Sequence, residues 1–144
     1  MRILAKQRGV VVGVDGSPNS MAALRRGAAE AERREARLDV VQVIPAGSAW
    51  TITSNATNWL RLRSLVAAAL PTAQHVTTRL RIVHGAPAQA LIKAAQGAEL
   101  LVVGAREHSE HGNPLGGDTV PAVMSGASCK VVVCADQGSS ARTA

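Results

Sequence analysis

The sequence predicts an α/β fold in which helices cover both faces of an open parallel sheet of about five strands. Short apolar runs rich in valine and leucine alternate along the chain with longer segments in which apolar residues recur at helical spacing. Phe and Tyr are absent from the 144 residues and only two Trp occur. The core must therefore consist of Val, Leu, Ile and Ala, which suits thin, closely packed layers.

The first strand and the first helix are predicted at the start of the chain. The apolar run VVVGV ends at Asp15, and the letters GSP that follow indicate a turn and a helix start. The helix is predicted over residues 19–37, where an apolar stripe is formed by Met21, Leu24, Ala28 and Ala31. This stripe is predicted to pack on the sheet.

The later elements continue the same alternation up to the last strand. Strands are predicted at residues 38–44, 76–83, 100–104 and 131–133, and helices at residues 59–70, between Pro87 and Gly97, and from about residue 119. Residues 46–58 show no clear period and are predicted to form a loop. A chain of this length forms one domain, predicted at residues 1–136, and the small polar residues 137–144 are predicted to be a disordered tail.

The net charge of +6 raises the question of a nucleic-acid or membrane partner. Five arginines are predicted on the first helix, namely Arg25, Arg26, Arg33, Arg34 and Arg37. Glu30 lies four residues from both Arg26 and Arg34, so a solvated helix face explains this cluster. Single-stranded nucleic-acid binders also need aromatic platforms, which this chain lacks. We therefore expect neither a nucleic-acid nor a membrane partner.

The two cysteines flank the last predicted strand, and their spacing indicates neither a metal site nor a disulfide between them. Neither Cys129 nor Cys134 has a Cys or His partner at metal-ligand spacing. Five residues of extended chain separate their Cα atoms by about 16 Å, which excludes a disulfide between them. Both are predicted to be small buried residues. No signal peptide or membrane span is recognised, so we expect a cytoplasmic protein.

The ends of three predicted strands indicate a ligand site. Asp15, Val43 and Gly104 lie at or near the carboxyl ends of their strands, which meet in one crevice of a parallel sheet. The loop from Gly104 to the helix at residue 119 would offer backbone N–H groups to a phosphate. Acidic residues, Glu107 and Asp118, occupy that loop. The architecture thus favours a nucleotide, whereas the local charge opposes its phosphates.

Four segments together resemble the universal stress protein family. They are VVGVDGS at residues 11–17, GAPAQALIKAA at 85–95, ELLVVG at 99–104 and GASCKVVV at 126–133. The resemblance implies a Rossmann-like sheet with strand order 3-2-1-4-5. It also implies that Asp15 contacts the ribose or adenine of a nucleotide and that the backbone of Val43 reads the adenine edge. Finally, it implies a homodimer that pairs through the last strand, Val131, Val132 and Val133.

Nucleotide-binding members of that family carry the pattern G-x2-G-x9-G-[S/T] after the fourth strand. It falls here on Gly104, Glu107, Gly117 and Asp118, so two of the four positions differ. A carboxylate about 4 Å from a phosphate charge costs roughly 1 kcal/mol in bulk water and about 4 kcal/mol at an effective dielectric of 20. Asp118 is also a good N-cap for the helix that follows. The adenine half of the site is therefore predicted to survive and the phosphate half to be degraded.

These observations favour a non-enzymatic module in stress response or regulation, without a catalytic residue, a cofactor or a resident metal. An ATP-binding switch or slow ATPase is the alternative, in which Arg106 offsets one acidic neighbour. A second alternative is a divalent metal held by the loop residues Glu107, His108, Glu110, His111 and Asp118, which would reverse the local charge. A phosphoacceptor receiver is rejected, because Gly13 and Val14 precede Asp15 where a further carboxylate is needed.

Overall fold

The computed structural model describes residues 9–15, 17–44, 52–70, 76–105, 119–135 and 142–143. In chain order the elements are β1 (Gly9–Val14), α1 (Pro18–Arg34), β2 (Arg37–Ile44), α2 (Ile52–Ala69), β3 (Thr78–His84), α3 (Pro87–Ala94), β4 (Leu100–Gly104), α4 (Thr119–Gly126), β5 (Lys130–Cys134) and β6 (Arg142–Thr143). No helix among the described residues is long and apolar enough to cross a membrane.

One sheet contains all of these strands in the order β3-β2-β1-β4-β5-β6. The first five pair in parallel, which confirms the predicted fold class and strand order. The two-residue strand β6 pairs antiparallel with β5, opposite Val132 and Val133. The described residues 142–143 thus lie along the sheet edge at β5.

The first helix is shorter than the sequence predicts. It begins after Ser17, whose Oγ accepts a hydrogen bond from the N–H of Ser20 at 3.2 Å. It ends at Arg34, because Glu35 adopts a left-handed conformation with φ of 54° and its N–H bonds back to the last turn. Arg37 therefore belongs to β2, and its assignment to the helix is wrong.

The second helix is longer than predicted. It begins at Ile52, although residues 46–58 are predicted to be a loop. Ala56 and Thr57 are exposed, and residues 46–58 show no apolar stripe in the sequence that would predict this part of the helix. The second half is anchored in the core by Leu62, which is fully buried.

The core consists of two apolar layers separated by the sheet. Alternate residues of β1 point to opposite faces: Val10 and Val12 pack with α1 and α2, and Val11 packs with α3 and α4. The predicted stripe of α1 is confirmed, since Leu24, Ala28 and Ala31 are fully buried. Cys134 is buried and Cys129 is half-buried, and burial raises the pKa of both thiols.

The arginine cluster of α1 is organised around one carboxylate. Glu30 accepts hydrogen bonds from Arg26 at 3.2 Å and from Arg34 at 3.1 Å, which confirms the two predicted i,i+4 pairs, and Arg33 is a third partner. Burial by itself would raise the pKa of Glu30, but these hydrogen bonds lower it to about 2. Arg34 also reaches Glu99 at 3.1 Å and so ties α1 to the start of β4.

Candidate functional site

A pocket of about 110 Å³ opens at the carboxyl ends of β1, β2 and β4. Asp15, Val43 and Gly104 all line it, as expected from the strand ends. The other lining residues are Gly13, Val14, Ser17, Ser20, Val41, Pro87, Leu91, Val103, Ala105 and Val120. Ligand pockets for drug-sized molecules begin at roughly 300 Å³. The described residues therefore form the floor and one side of a site suited to part of a small molecule.

Asp15 is held at the rim by the turn that starts α1. Its Oδ1 accepts the N–H of Ser17 at 2.9 Å, and its own N–H donates to the Oγ of Ser20 at 3.2 Å. The Ser20 hydroxyl in turn donates to the carbonyl of Ser17 at 3.0 Å. These local bonds fix an exposed carboxylate beside an apolar floor. Such a group is suited to accept hydrogen bonds from the hydroxyl or amino groups of a ligand.

Gly104 allows the start of α1 to approach the end of β4. A Cβ at this position would lie 2.6 Å from the carbonyl carbon of Asn19 and 2.6 Å from the nitrogen of Ser20. The Nδ2 of Asn19 also donates to the carbonyl of Ala105, which fastens the two elements together. The sequence predicts Gly104 at a strand end and as a position of the phosphate pattern, and the structure adds a packing role.

The floor of the pocket is apolar and comes from both strands and helices. Val41 and Val103 contribute from the sheet, Leu91 from α3 and Val120 from α4. Leu91 packs closely on the sheet, since a Cβ at Gly13 would lie 2.9 Å from its Cδ2. The sequence analysis does not place Leu91, Ser20 or Val120 in the site. A flat apolar floor of this kind fits the face of a heterocyclic ring.

The phosphate side of the predicted site lies outside the described residues. This applies to Arg106, Glu107, Gly117 and Asp118 and to the alternative metal ligands His108, Glu110 and His111. Helix α4 begins at Thr119, as predicted, and Val120 from its first turn lines the pocket. Within the part of the chain that the structure describes, no group of three His, Cys, Asp or Glu side chains could hold a metal ion.

The model of the universal stress protein family matches residues 7–135. The chain belongs to the universal stress protein family. No curated protein sequence matches the chain significantly. The family match includes every element that lines the pocket, from β1 to α4.

Solved structures of this family share the fold. A universal stress protein in complex with cAMP is 27% identical, with a TM-score of 0.70, and the match covers 88% of this chain and 95% of that one. UspA from Lactobacillus plantarum is 23% identical, with a TM-score of 0.68, over 90% and 99% of the two chains. The protein from Archaeoglobus fulgidus in complex with dAMP is 20% identical, with a TM-score of 0.69, over 91% and 99%.

The described part of the pocket combines an apolar surface with few polar side chains. Among the described residues that line it, Asp15 is the only ionisable side chain, and the others are apolar residues, glycines and two serines. The described residues thus supply an apolar surface and hydrogen-bond acceptors at its rim.

Proposed function

We propose that this universal stress protein is a non-enzymatic stress-response module that binds the nucleoside part of an adenine compound and disfavours polyphosphate. The observation that carries the proposal is the apolar pocket between β1, β2 and β4, with the Asp15 carboxylate at its rim. The pocket has the apolar surface for a ring, and Asp15 has the acceptor for a ribose hydroxyl. The cAMP complex of a relative that is 27% identical supports an adenine ligand.

The acidic loop supports the second half of the proposal. Glu107 and Asp118 stand at positions where the family pattern has Gly and Ser or Thr. Each carboxylate within about 4 Å of a phosphate would weaken binding by about fivefold in bulk water and by more in a shielded site. An uncharged nucleoside avoids this repulsion altogether. We therefore expect adenosine to bind more tightly than ATP.

An ATP-binding switch is the second candidate. Arg106 follows directly after Ala105, which lines the pocket, and its charge would offset one acidic neighbour. The relatives with cAMP and dAMP show that anionic adenine nucleotides occur in this family. In this case ATP, rather than adenosine, would be the tighter ligand.

Restoring the family pattern in the loop tests the proposal. The double variant Glu107→Gly with Asp118→Ser should raise the affinity for ATP by about tenfold or more, since it removes two carboxylates from the phosphate side, and should leave adenosine binding unchanged. Glu110→Gln removes a charge from the same loop outside the pattern and serves as the matched control. The proposal is wrong if the double variant and the control bind ATP equally well, as measured by titration calorimetry with magnesium.

We also propose that the protein forms a homodimer through β5. Val131 and Val132 are buried within the chain and Val133 is half-buried, so an apolar strand lies next to the sheet edge. β6 covers that edge opposite Val132 and Val133, and it is only two residues long. Displacing so short a strand costs few hydrogen bonds, so a second copy of β5 can compete for the edge. Sedimentation that shows a monomer at high micromolar concentration would contradict this proposal.

A further inference from the structure

A second concavity lies next to the pocket between β1, β2 and β4, here called the nucleoside pocket, on the same sheet face that packs against α3. It is a groove of about 700 Å³ between the amino-terminal halves of β1 and β2, most of the length of β3, and α3 with the turn that follows it. We call it the basic groove and define it by its charged lining, Arg37, Asp39, Arg79, Arg81 and Lys93. Val11 and Val83 also line it and belong to the apolar layer under α3. The nucleoside pocket shares none of these residues.

The pairing register places the four strand residues on one face. Asp39 lies opposite Arg79, Val41 opposite Arg81 and Gly9 opposite Arg37. Residues two apart on a strand point to the same side, so the pairs Arg37 with Asp39 and Arg79 with Arg81 all face the groove. Lys93 joins them from the last turn of α3. Five charged side chains from three separate elements thus meet over the exposed part of the sheet.

A buried carboxylate orients two of the arginines. The side chain of Asp39 is only 5% exposed. Its Oδ1 and Oδ2 accept hydrogen bonds from the Nε and Nη2 of Arg37 at 3.1 and 3.3 Å, and Oδ1 also pairs with the Nε of Arg79 at 3.2 Å. Gly9 leaves room for this arrangement, because a Cβ there would lie 3.3 Å from Oδ2. Both guanidinium groups are therefore held in place while other N–H donors remain for a ligand.

Arg81 lacks such a partner. Its Nε is buried, and within the described residues no hydrogen-bond acceptor reaches it. Leaving a buried donor of a charged group unpaired is costly, and an anion in the groove would supply the missing acceptor. Among the described lining residues, four Arg and Lys side chains face a single carboxylate. The groove is thus positively charged and contains one unsatisfied donor.

We propose that the basic groove is a second ligand site, which binds a small molecule with two or more phosphate groups. Guanidinium groups match phosphate oxygens in geometry and charge. Neighbouring strands are about 4.8 Å apart and residues i and i+2 about 6.7 Å apart, so the cations cluster on the scale of a small molecule. No Phe, Tyr or Trp side chain is among the described lining residues, which disfavours stacked nucleobases and hence a nucleic acid.

Calorimetric titration with tripolyphosphate, pyrophosphate and inorganic phosphate tests the proposal. Affinity should rise with the number of phosphate groups, and the double variant Arg81→Gln with Lys93→Gln should lose about tenfold or more. Arg61→Gln removes an exposed cation from α2 and is the matched control, because Arg61 lies outside the groove. A saturating amount of adenosine should leave tripolyphosphate binding unchanged, which separates this site from the nucleoside pocket.

Two further measurements keep the test decisive. The Nε–H resonance of Arg81 in a nitrogen–proton NMR spectrum should shift on adding tripolyphosphate. If the double variant fails to fold, Lys93→Gln alone changes an exposed side chain and should still weaken binding by about threefold. The proposal is overturned if tripolyphosphate does not bind, if the Arg81 resonance does not move, or if Arg61→Gln weakens binding as much as the groove variants.

Discussion

Replacing Gly104 by alanine should destabilise the protein and disturb the nucleoside pocket. The added Cβ would lie 2.6 Å from backbone atoms of Asn19 and Ser20 and 2.7 Å from the carbonyl oxygen of Asn19. Backbone cannot move aside as a flexible side chain can, so the start of α1 must shift away from β4. Overpacking of this kind costs about 1–3 kcal/mol. For a domain of this size that lowers the Tm by about 4–12 °C.

Gly126→Ala is the matched control for this prediction. Its Cβ would also approach another atom at 2.6 Å, but that atom is the terminal Cδ1 of Ile92, which can rotate away. We expect Gly126→Ala to lower the free energy of unfolding by less than about 1 kcal/mol. Chemical denaturation of both variants measures the difference, and adenosine titration shows whether the pocket changes with it. Equal stability of the two variants would refute the argument that α1 and β4 are locked together at Gly104.

The remaining predictions concern charge, assembly and the pocket rim. Because the folded pKa of Glu30 is about 2, below its ordinary 4.5, its stabilising effect is complete above that ordinary value and is lost as the pH falls toward 2. Glu30→Gln should lower the free energy of unfolding by about 1–2 kcal/mol at neutral pH, a value that allows for solvent screening of the exposed Arg33. In chemical denaturation at a series of pH values, the variant should lose less stability than the unmodified protein as the pH falls below 4.5. An equal loss in both proteins contradicts this. Deleting residues 137–144 should lower the dissociation constant of the dimer, because it removes β6 from the edge of β5. Equal dissociation constants for the shortened and the full chain in sedimentation would argue against the β5 interface. Asp15→Ala should weaken adenosine binding by about fivefold or more through loss of a charged acceptor, whereas unaltered calorimetric affinity would remove Asp15 from the site.

The sequence predicts the fold well because the local and the global patterns agree. Apolar runs in parallel strands and the stripe of α1 are properties of neighbouring residues, and the strand ends place Asp15, Val43 and Gly104 together. The structure brings these three residues to one pocket. The extension of α2 to Ile52 was not predicted, because residues 46–58 show no apolar residues at helical spacing.

The basic groove could not be found in the same way. Its charges come from β2, β3 and α3, and only the strand register shows that Asp39 lies opposite Arg79. The sequences RLD and RLR do carry the signal, since each places two charged residues on one side of a strand. The prediction that Arg37 belongs to α1 obscured the pattern in RLD, because Arg37 and Asp39 were then assigned to different elements. The packing role of Gly104 is equally nonlocal, because it depends on how α1 meets β4.

Calorimetric titration of the unmodified protein with adenosine and with ATP, each with and without magnesium, tests the central claim most directly. The apolar pocket and the acidic loop predict that adenosine binds and that ATP binds more weakly. They also predict that the preference persists with magnesium. ATP binding more tightly than adenosine would contradict the account and favour the nucleotide switch. Absence of heat with either compound would likewise contradict it, since the pocket would then not bind a nucleoside.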